Sequence, residues 1–362
     1  MNIHETYMYR CLALAKQGLG KVAPNPMVGA VLVFENKVIG EGYHQTYGQS
    51  HAEVNCLASV REEDASLIAA STLYVSLEPC AHFGKTPPCV DTIIAHRIPR
   101  VVVGCSDPFK EVNGKGIGKL IDAGIEVVQG ILEKECRELN RRFFLFHTLK
   151  RPYVFLKWAQ SADKKIGADE GHRLLISNPY SNRLVHKWRG SEAAIMVGTT
   201  TALSDNPQLT TRLWPGKNPL RIVLDLKLRL PASLSLFNDE AVTIVFNLQK
   251  HTLPGETSPD KIEKGLYYYK LGDDAGSITQ ILKVLHELQI QSILVEGGAK
   301  LLQSFIDEGC WDEARIITNE ELHMGEGVSA PALKNADLTH TKKIVSDVHT
   351  RFKNNYREQP LS

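Results

Sequence analysis

Short apolar runs alternate with segments of helical periodicity over the first half of the chain. Continuous apolar runs bounded by turn residues predict buried strands, and apolar residues three and four apart predict helices. We therefore predict strands over 28–34, 38–43, 72–77, 100–104 and 125–128, and helices over 8–19, 51–61, 88–96, 118–123 and 132–149. One hairpin followed by alternating helices and strands indicates an α/β domain.

A second alternation begins at Pro152, because proline disfavours helix at the residue before it and a strand-like run follows. We predict strands over 153–157, 193–197, 220–224, 242–246 and 292–295, and helices over 180–189, 278–288 and 299–308. Residues 254–259 predict a loop, and the pattern assigns no element to the basic and polar tail after Lys342. The sequence thus predicts two α/β domains, over 1–148 and 152–350.

Length and charge narrow the classes of function. A chain of 362 residues suits two domains, and 42 Lys and Arg against 41 Asp and Glu create no overall field toward nucleic acid or an anionic membrane. We expect a small-molecule substrate and neither a nucleic-acid nor a membrane partner. No signal-peptide pattern or membrane-length apolar run is present, and seven cysteines do not suggest a disulfide framework. We expect a cytoplasmic protein whose cysteines are thiols or metal ligands.

Three short motifs occur in order in the first half: His51-Ala52-Glu53, Glu78-Pro79-Cys80 and Pro88-Cys89. An H-x-E followed by P-C and a second cysteine is typical of zinc base deaminases, in which three ligands leave the fourth tetrahedral position to water. We predict that His51, Cys80 and Cys89 bind one Zn²⁺ per chain and that Glu53 transfers protons. The alternatives are a structural zinc site, or scattered cysteines with an incidental histidine.

The spacing of these residues constrains their geometry. His51 and Glu53 are two apart and would not share a face along a regular helix, but in a first helical turn both can point toward a metal. Cys80 should follow a strand and Cys89 should begin a helix, where the N-terminal dipole favours a thiolate. The sequence therefore predicts a metal site at the ends of these elements.

The loop between the two cysteines is longer than the two residues of the common base-deaminase motif. This P-C-A-H-F-G-K-T-P-P-C loop, together with Pro24-Asn25-Pro26-Met27-Val28-Gly29 and Gly42-Tyr43-His44, resembles the bifunctional riboflavin-biosynthesis deaminase/reductase family. The resemblance implies a cytidine-deaminase-like three-layer N-terminal domain and a dihydrofolate-reductase-like α/β C-terminal domain. It further implies a bifunctional enzyme: a zinc hydrolase and an NADPH-dependent oxidoreductase.

In that family the first domain deaminates 2,5-diamino-6-ribosylamino-4(3H)-pyrimidinone 5′-phosphate, and the second reduces the ribosyl group to ribityl with NADPH. We accordingly expect phosphorylated pyrimidines as substrates, and a homo-oligomer whose size the sequence does not give. The resemblance implies deaminase substrate contacts by Asn25, His44, His82, Lys85 and Asp107. Asn25 could instead form a turn and Lys85 could be a solvated loop charge. Phe109 replaces the asparagine of the family's D-P-N, so a polar contact is missing there.

The second half carries a weaker signal. Residues 293–300 predict a strand, a glycine turn and the start of a helix, which would offer N–H groups to a phosphate, but G-x-G-x-x-G is absent. A hydroxyl-rich segment over 198–212 suits a sugar phosphate, or is an ordinary polar connection. Together these two segments resemble the reductase domain. The match implies that Arg189, Leu209, Arg212 and Glu296 hold substrate, and that NADPH is held by Ala159, Thr201, Asp205, Gly298, Ala299, Lys300, Leu301, Leu302, Gln303 and Ser304.

The second half also departs from that family. Its S-L-D-G-K is S-A-D-K-K over 161–165, and Arg173 and Leu175 occupy positions of its S-x-W-I-T motif. An alternative is therefore a deaminase fused to a non-catalytic nucleotide-binding or regulatory domain, which NADPH binding would distinguish. A third class, a deaminase of a nucleic-acid base, is disfavoured because the charge is even and no basic, aromatic-interleaved stretch occurs.

Overall fold

The computed structural model describes residues 2–84, 87–109, 112–167, 174–254, 262–272 and 278–355. The chain divides into two compact units, Met1–Thr148 and Leu149–Ser362. Each unit has its own principal sheet with hydrophobic residues packed on it. Within the described ranges, the helices are too short or too polar to cross a lipid bilayer.

The first unit is built on a five-stranded sheet in the order β2-β1-β3-β4-β5. β1 is antiparallel to β2 and β3, whereas β3, β4 and β5 are parallel. Its strands are β1 (Gly29–Phe34), β2 (Lys37–Tyr43), β3 (Thr72–Leu77), β4 (Arg100–Cys105) and β5 (Glu126–Gln129). Its helices are α1 (Ile3–Ala15), α2 (Ala52–Ala58), α3 (Cys89–Ala95), α4 (Lys115–Asp122), α5 (Glu133–Leu139) and α6 (Arg141–Leu149).

Helices cover both faces of this sheet, because strand side chains alternate between the two faces. Leu32, Val75 and Val103 join a core with α2, α3 and α4. Val31 and Val102 join the opposite core, with α1, α5 and α6. The predicted three-layer α/β domain is confirmed.

The second unit contains a nine-stranded sheet in the order β11-β10-β9-β8-β12-β6-β13-β16-β15, and β14 pairs with β7 in a small separate sheet. Its helices are α7 (Pro179–Arg189), α8 (Thr199–Asp205), α9 (Ile278–Glu287) and α10 (Ala299–Asp307). Its strands are β6 (Tyr153–Ser161), β7 (Lys165–Gly167), β8 (Ala194–Gly198), β9 (Leu220–Leu224), β10 (Thr243–Asn247), β11 (Leu266–Lys270), β12 (Ser292–Glu296), β13 (Glu313–Asn319), β14 (Val328–Ser329), β15 (Ala336–Ile344) and β16 (Asp347–Asn354).

The strands from β11 to β13 are parallel, and β16 and β15 extend the sheet as an antiparallel hairpin. β6 shows how the two faces differ. Leu156 and Trp158 enter the hydrophobic core with α9 and α10. Phe155 lies on the other face, where its ring meets that of Trp188 in α7 at a centroid distance of 5.8 Å.

The structure contains the predicted elements and departs from the prediction where polar side chains make tertiary contacts. The helix predicted over 132–149 is divided at Asn140. The Asn140 amide accepts the Met27 N–H and donates to the Met27 carbonyl oxygen, each at 2.8 Å. Asn140 thereby holds the loop before β1, which the helical periodicity does not reveal.

Two further segments fold differently from the prediction. The hydroxyl-rich segment begins with helix α8, which Asn206 ends in a left-handed conformation. The tail after Lys342 completes β15 and forms β16. β15 is largely exposed and β16 is half-buried on both faces, so neither has the apolar alternation that predicts a strand.

His186 in α7 is a fully buried histidine. Burial and the nearby cations of Arg189 and Arg212 lower the pKa of His186 to about 4. An unfolded histidine binds a proton near pH 6.5, so the unfolded state binds more protons between these values. The second unit should therefore lose stability as the pH falls from about 6.5 to about 4.

We predict that His186→Leu makes the stability of the second unit less sensitive to acid, because the substitution removes this titrating group. All four tryptophans lie in the second unit, so tryptophan fluorescence during urea unfolding follows that unit selectively. When the pH is lowered from about 7.5 to about 5, the urea concentration at the midpoint of unfolding should fall less in the variant than in wild type. His340→Leu, at an exposed position in the same unit, is the control. An equal fall in both variants would contradict the assignment to His186.

Candidate functional site

The start of α2 positions His51 and Glu53 as their spacing predicts. His51 is the N-cap residue in an extended conformation, and Glu53 lies in the first helical turn. The His51 Nδ1 atom lies 3.2 Å from the Cys89 Sγ atom and 3.5 Å from the Cys80 Sγ atom. His51 and both cysteines therefore meet in front of the helix.

The two cysteines come from the predicted elements. Cys80 follows β3, Cys89 is the first residue of α3, and the Cys89 N–H donates to the Cys80 Sγ atom at 3.4 Å. One potential ligand atom from each of His51, Cys80 and Cys89 lies within 4.8 Å of the others. One imidazole nitrogen and two sulfurs suit Zn²⁺, and three protein ligands leave a tetrahedral position for a reactant. The residues present thus fit a catalytic zinc ion.

Glu53 is only 3% exposed beside this cluster. Burial and the nearby Cys80 raise the pKa of Glu53 to about 7. Hydrogen bonds with Cys89 and His51 lower the pKa of Cys80. A carboxyl group next to two thiols and a histidine is in a position to exchange protons with a reactant bound there.

Asn25 and His44 extend the cluster on one side. The His44 ring lies 5.3 Å from that of His51, and the Asn25 Nδ2 atom lies 3.3 Å from the His44 Nε2 atom. The His44 Nδ1 atom lies 3.1 Å from the Ser50 carbonyl oxygen, which can only accept a hydrogen bond. Burial lowers the pKa of His44, which favours a neutral ring that donates from Nδ1 and accepts at Nε2.

Asp107 follows β4 and approaches the cluster from another direction. Burial, together with the nearby Glu78 and Cys80 charges, raises the pKa of Asp107 to about 7, although the hydrogen bond from the Phe109 N–H acts in the opposite direction. The Asp107 Oδ1 atom accepts the Phe109 N–H at 2.8 Å. The Phe109 ring meets the His82 ring at 6.1 Å, so an aromatic contact stands where the family has an asparagine. Lys85, the predicted phosphate contact, lies outside the described residues.

Phe109 also contacts a residue that the sequence did not identify. His147 in α6 lies 5.1 Å from the Phe109 ring, centroid to centroid. The order along this row is His82, Phe109, His147. The sequence gives only a weak signal for His147, because a single histidine near the end of an apolar helix has no motif around it.

In the second unit, Arg189 and Glu296 form a buried two-point ion pair. Arg189 Nε and Nη2 donate to the two Glu296 carboxylate oxygens at 2.9 and 2.7 Å, and Nη1 donates to the Thr210 carbonyl oxygen at 3.2 Å. Burial alone would raise the pKa of Glu296, but Arg189 lowers it to about 2. Glu296 is therefore ionised near neutral pH and accepts hydrogen bonds.

Leu209 and Arg212 lie on the segment that follows α8. Leu209 is buried in a left-handed conformation with φ of 55°, which is strained for a bulky residue. Arg212 is exposed, and its charge acts on the same buried His186 as that of Arg189. The structure thus brings Arg189 and Glu296 into direct contact and places Arg212 near them.

Lys157 is a residue at this site that the sequence analysis did not assign. It lies opposite Glu296 in the register of β6 and β12. Burial lowers the pKa of Lys157, Glu296 raises it and Arg189 lowers it, so all three groups share one electrostatic environment. A lysine that ends an apolar strand-like run is the signal that could have identified it.

The turn after β12 consists of two glycines in the left-handed region. Gly297 and Gly298 have φ of 77° and 74°, and a Cβ at either position would lie within 3 Å of the Thr201 side chain. Because these residues have no side chain, Thr201 packs directly against the turn before α10. The predicted cofactor contacts Thr201 and Gly298 therefore lie side by side.

The other predicted cofactor contacts differ in what they can offer. Ala159 lies in β6, and Asp205 is exposed at the end of α8. The Leu301 and Leu302 side chains are in the hydrophobic core, so only their backbone could meet a ligand. The remaining members of the predicted helix segment are Ala299, Lys300, Gln303 and Ser304, and the Ser304 hydroxyl donates to the Lys300 carbonyl oxygen at 3.0 Å.

The segment 173–177, which departs from the family's S-x-W-I-T motif, is described by the structure from residue 174 onward. Arg173 lies outside the described residues. Leu175 is 75% exposed, so the position where the family has an aromatic residue presents a leucine to solvent.

Family comparisons agree with the two units. Residues 1–105 match the cytidine and deoxycytidylate deaminase zinc-binding region, and residues 152–349 match the RibD C-terminal domain. The riboflavin biosynthesis protein RibD of Aquifex aeolicus is 42% identical over 344 residues, which cover 94% of each chain. The Escherichia coli protein of the same name is 34% identical over 331 residues, which cover 88% of each chain.

A solved structure agrees over nearly the full length. It is a diaminohydroxyphosphoribosylaminopyrimidine deaminase/5-amino-6-(5-phosphoribosylamino)uracil reductase from Thermotoga maritima, with 36% identity and a TM-score of 0.85. The match covers 97% of this chain and 99% of the other. On these similarities, the chain belongs to the riboflavin biosynthesis protein RibD family.

Proposed function

We propose that the first unit is a zinc-dependent deaminase of 2,5-diamino-6-ribosylamino-4(3H)-pyrimidinone 5′-phosphate. The observation that carries this proposal is the meeting of His51, Cys80 and Cys89 within 4.8 Å beside the buried Glu53. A structural zinc site commonly uses four protein ligands, whereas three leave room for a reactant. The match of residues 1–105 to a deaminase zinc-binding region supports the same interpretation.

The proposed chemistry replaces an exocyclic amino group of the pyrimidine by a carbonyl oxygen from water. Zn²⁺ bound to His51, Cys80 and Cys89 would supply the Lewis acid that makes water nucleophilic at neutral pH. The Glu53 carboxylate accepts a proton from the attacking water and delivers it to the departing nitrogen, which leaves as ammonia. Asn25 and His44 hold the ring on one side, and Asp107 and His82 line the other.

We propose that the second unit reduces the ribosyl group of the deaminated product to ribityl with NADPH, which supplies the hydride. Thr201 and the Gly297–Gly298 turn would hold the cofactor phosphates. The Glu296 carboxylate and Lys157 would orient the polar groups of the substrate so that its C1′ atom faces the nicotinamide. A buried ion pair beside a half-buried lysine is costly in a domain without a polar ligand, which favours an active reductase over a silent one.

The assembly and the location of the protein remain predictions from the sequence. We expect a homo-oligomer in the cytoplasm, and neither a nucleic-acid nor a membrane partner. The proposed substrates, which are small phosphorylated pyrimidines, need none of these partners for recognition.

The proposal predicts three quantities for one preparation of the purified protein. Metal analysis should give about one zinc per chain, because the described part of the chain holds one His-Cys-Cys cluster. The diaminopyrimidine ribotide should release ammonia, and NADPH should be oxidised in the same tube after deamination. Zinc and ammonia without NADPH oxidation would support the alternative of a deaminase fused to a silent domain. A preparation that deaminates without zinc would contradict the proposed metal centre.

Glu53→Gln should lower the rate of ammonia release at least roughly 100-fold, because the amide cannot accept and return the proton. Zinc content should stay at the wild-type value, since Glu53 is not among the proposed ligands. Glu62→Gln, an exposed carboxylate in the same unit, is the matched control and should deaminate normally. Normal ammonia release by Glu53→Gln would mean that another group carries the proton.

Lys157→Met should lower the rate of ribosyl reduction by roughly 10- to 100-fold, because the substitution removes a charged hydrogen-bond donor and keeps an apolar stem. Ammonia release from the same preparation is the internal control and should not change. NADPH binding, followed by quenching of tryptophan fluorescence, should also be retained. A wild-type reduction rate in the variant would exclude Lys157 from the site.

A further inference from the structure

Glu78, which precedes Pro79 and Cys80, is a buried carboxylate with 4% of its surface exposed. Four backbone N–H groups donate to it. Oε1 accepts from Gly116 at 3.0 Å and from Ile117 at 3.3 Å, whereas Oε2 accepts from Gly114 at 3.0 Å and from Asp107 at 3.2 Å. Among the described residues these N–H groups, rather than a side-chain cation, compensate the buried charge.

These donors lie on two described segments: Asp107 follows β4, and Gly114, Gly116 and Ile117 lie at the start of α4. Gly116 lies so close to the end of β3 that a Cβ there would overlap the Pro79 carbonyl oxygen. Pro79 is bonded to Cys80, so the start of α4 packs directly against the peptide that leads to a proposed metal ligand. The start of α4 is therefore held against the segment after β3 by the hydrogen bonds to Glu78 and by the close packing of Gly116 on Pro79.

The segment after β4 carries one wall of the proposed deaminase site. Glu78 receives the Asp107 N–H, and the Asp107 carboxylate receives the Phe109 N–H at 2.8 Å. The Phe109 ring meets the ring of His82, which follows Cys80 by two residues. A displacement of Asp107 away from β3 would consequently move a predicted substrate contact and an aromatic wall, while His51, Cys80 and Cys89 stay on their own elements.

We propose that Glu78 is a positioning residue for the deaminase: its carboxylate fixes the Asp107–Phe109 wall against the metal-binding end of β3. This inference rests on the proposed deaminase function. Glu78 contacts neither the proposed metal nor the reacting atoms in this arrangement. Its effect should therefore fall on substrate binding more than on the chemical step.

Glu78→Gln tests the proposal with minimal change of shape. A carboxylate accepts at both oxygens, but the glutamine amide has one NH₂ group, which faces two N–H donors in either orientation. Two hydrogen bonds are lost and the wall loosens. The KM for the diaminopyrimidine ribotide should rise about tenfold or more, kcat should stay within about threefold, and zinc content should not change.

Asp64→Asn is the matched control. Asp64 is also a buried carboxylate of the first unit, at 8% exposure, and it accepts from Lys37 Nζ at 3.0 and 3.1 Å. Loss of that pair removes a buried charge without touching Asp107 or the start of α4. The control should leave KM unchanged, which separates positioning from general destabilisation.

Gly116→Ala provides a second route to the same displacement, because its methyl group pushes α4 away from Pro79. Gly116→Ala should raise KM as Glu78→Gln does and should retain zinc. If Glu78→Gln does not fold, Gly116→Ala serves as the test in its place. Amide hydrogen exchange over 106–117 in the full-length protein should be faster in both variants than in wild type. This readout needs no substrate, so it tests the contacts of Glu78 even if wild type does not deaminate.

The outcomes separate the two proposals. Faster exchange over 106–117 together with a higher KM and retained zinc supports the positioning role. Loss of zinc in either variant, or an unchanged KM with normal exchange, overturns it. Wild-type protein that binds zinc but releases no ammonia would instead overturn the proposed deaminase function, and exchange would then show only whether Glu78 holds the Asp107–Phe109 segment in place.

Discussion

The meeting of His51, Cys80 and Cys89 depends on the packing of α2 and α3 on one face of the five-stranded sheet. His51 is fixed by the start of α2, Cys89 by the start of α3, and Cys80 by the end of β3 between them. Ala52, Cys56, Val90 and Ile93 anchor both helices in the same hydrophobic core. Apolar packing behind the cluster therefore determines the distances among three polar ligand atoms in front of it.

Several buried charged groups lie where ligands are proposed to bind, and others, such as Asp64 and Glu313, lie elsewhere. Glu53, Glu78 and Asp107 are buried around the His51–Cys80–Cys89 cluster, and the Arg189–Glu296 pair is buried in the second unit. Such groups contribute little net stability, because desolvation offsets much of the attraction between them. A domain selected only for stability would fill these positions with apolar residues, so their presence is best explained by chemistry and recognition.

Both units use the carboxyl ends of parallel strands in the same way. Cys80 and Asp107 follow the neighbouring strands β3 and β4, and Gly198 and the Gly297–Gly298 turn lie at the ends of the neighbouring strands β8 and β12. Parallel neighbours end at one edge of the sheet, so residues distant in sequence are brought together there. The family asparagine that Phe109 replaces lies at such an edge, which is why one substitution can change the wall of the site.

The sequence by itself determined the strands and helices with regular apolar patterns, the order of the zinc-binding motifs and the positions of His51, Cys80 and Cys89 on their elements. These features are local, because each depends on residue type and on spacings of a few positions. It did not reveal the break at Asn140, the hairpin of β15 and β16, Lys157 beside Glu296, or the four N–H groups around Glu78. The break at Asn140, the position of Lys157 beside Glu296 and the N–H groups around Glu78 each depend on a partner far away in the chain. β15 and β16 are neighbours in sequence, but they join the sheet through the pairing of β16 with the distant strand β13. Only the tertiary structure, in which burial makes such partners necessary, decided these features.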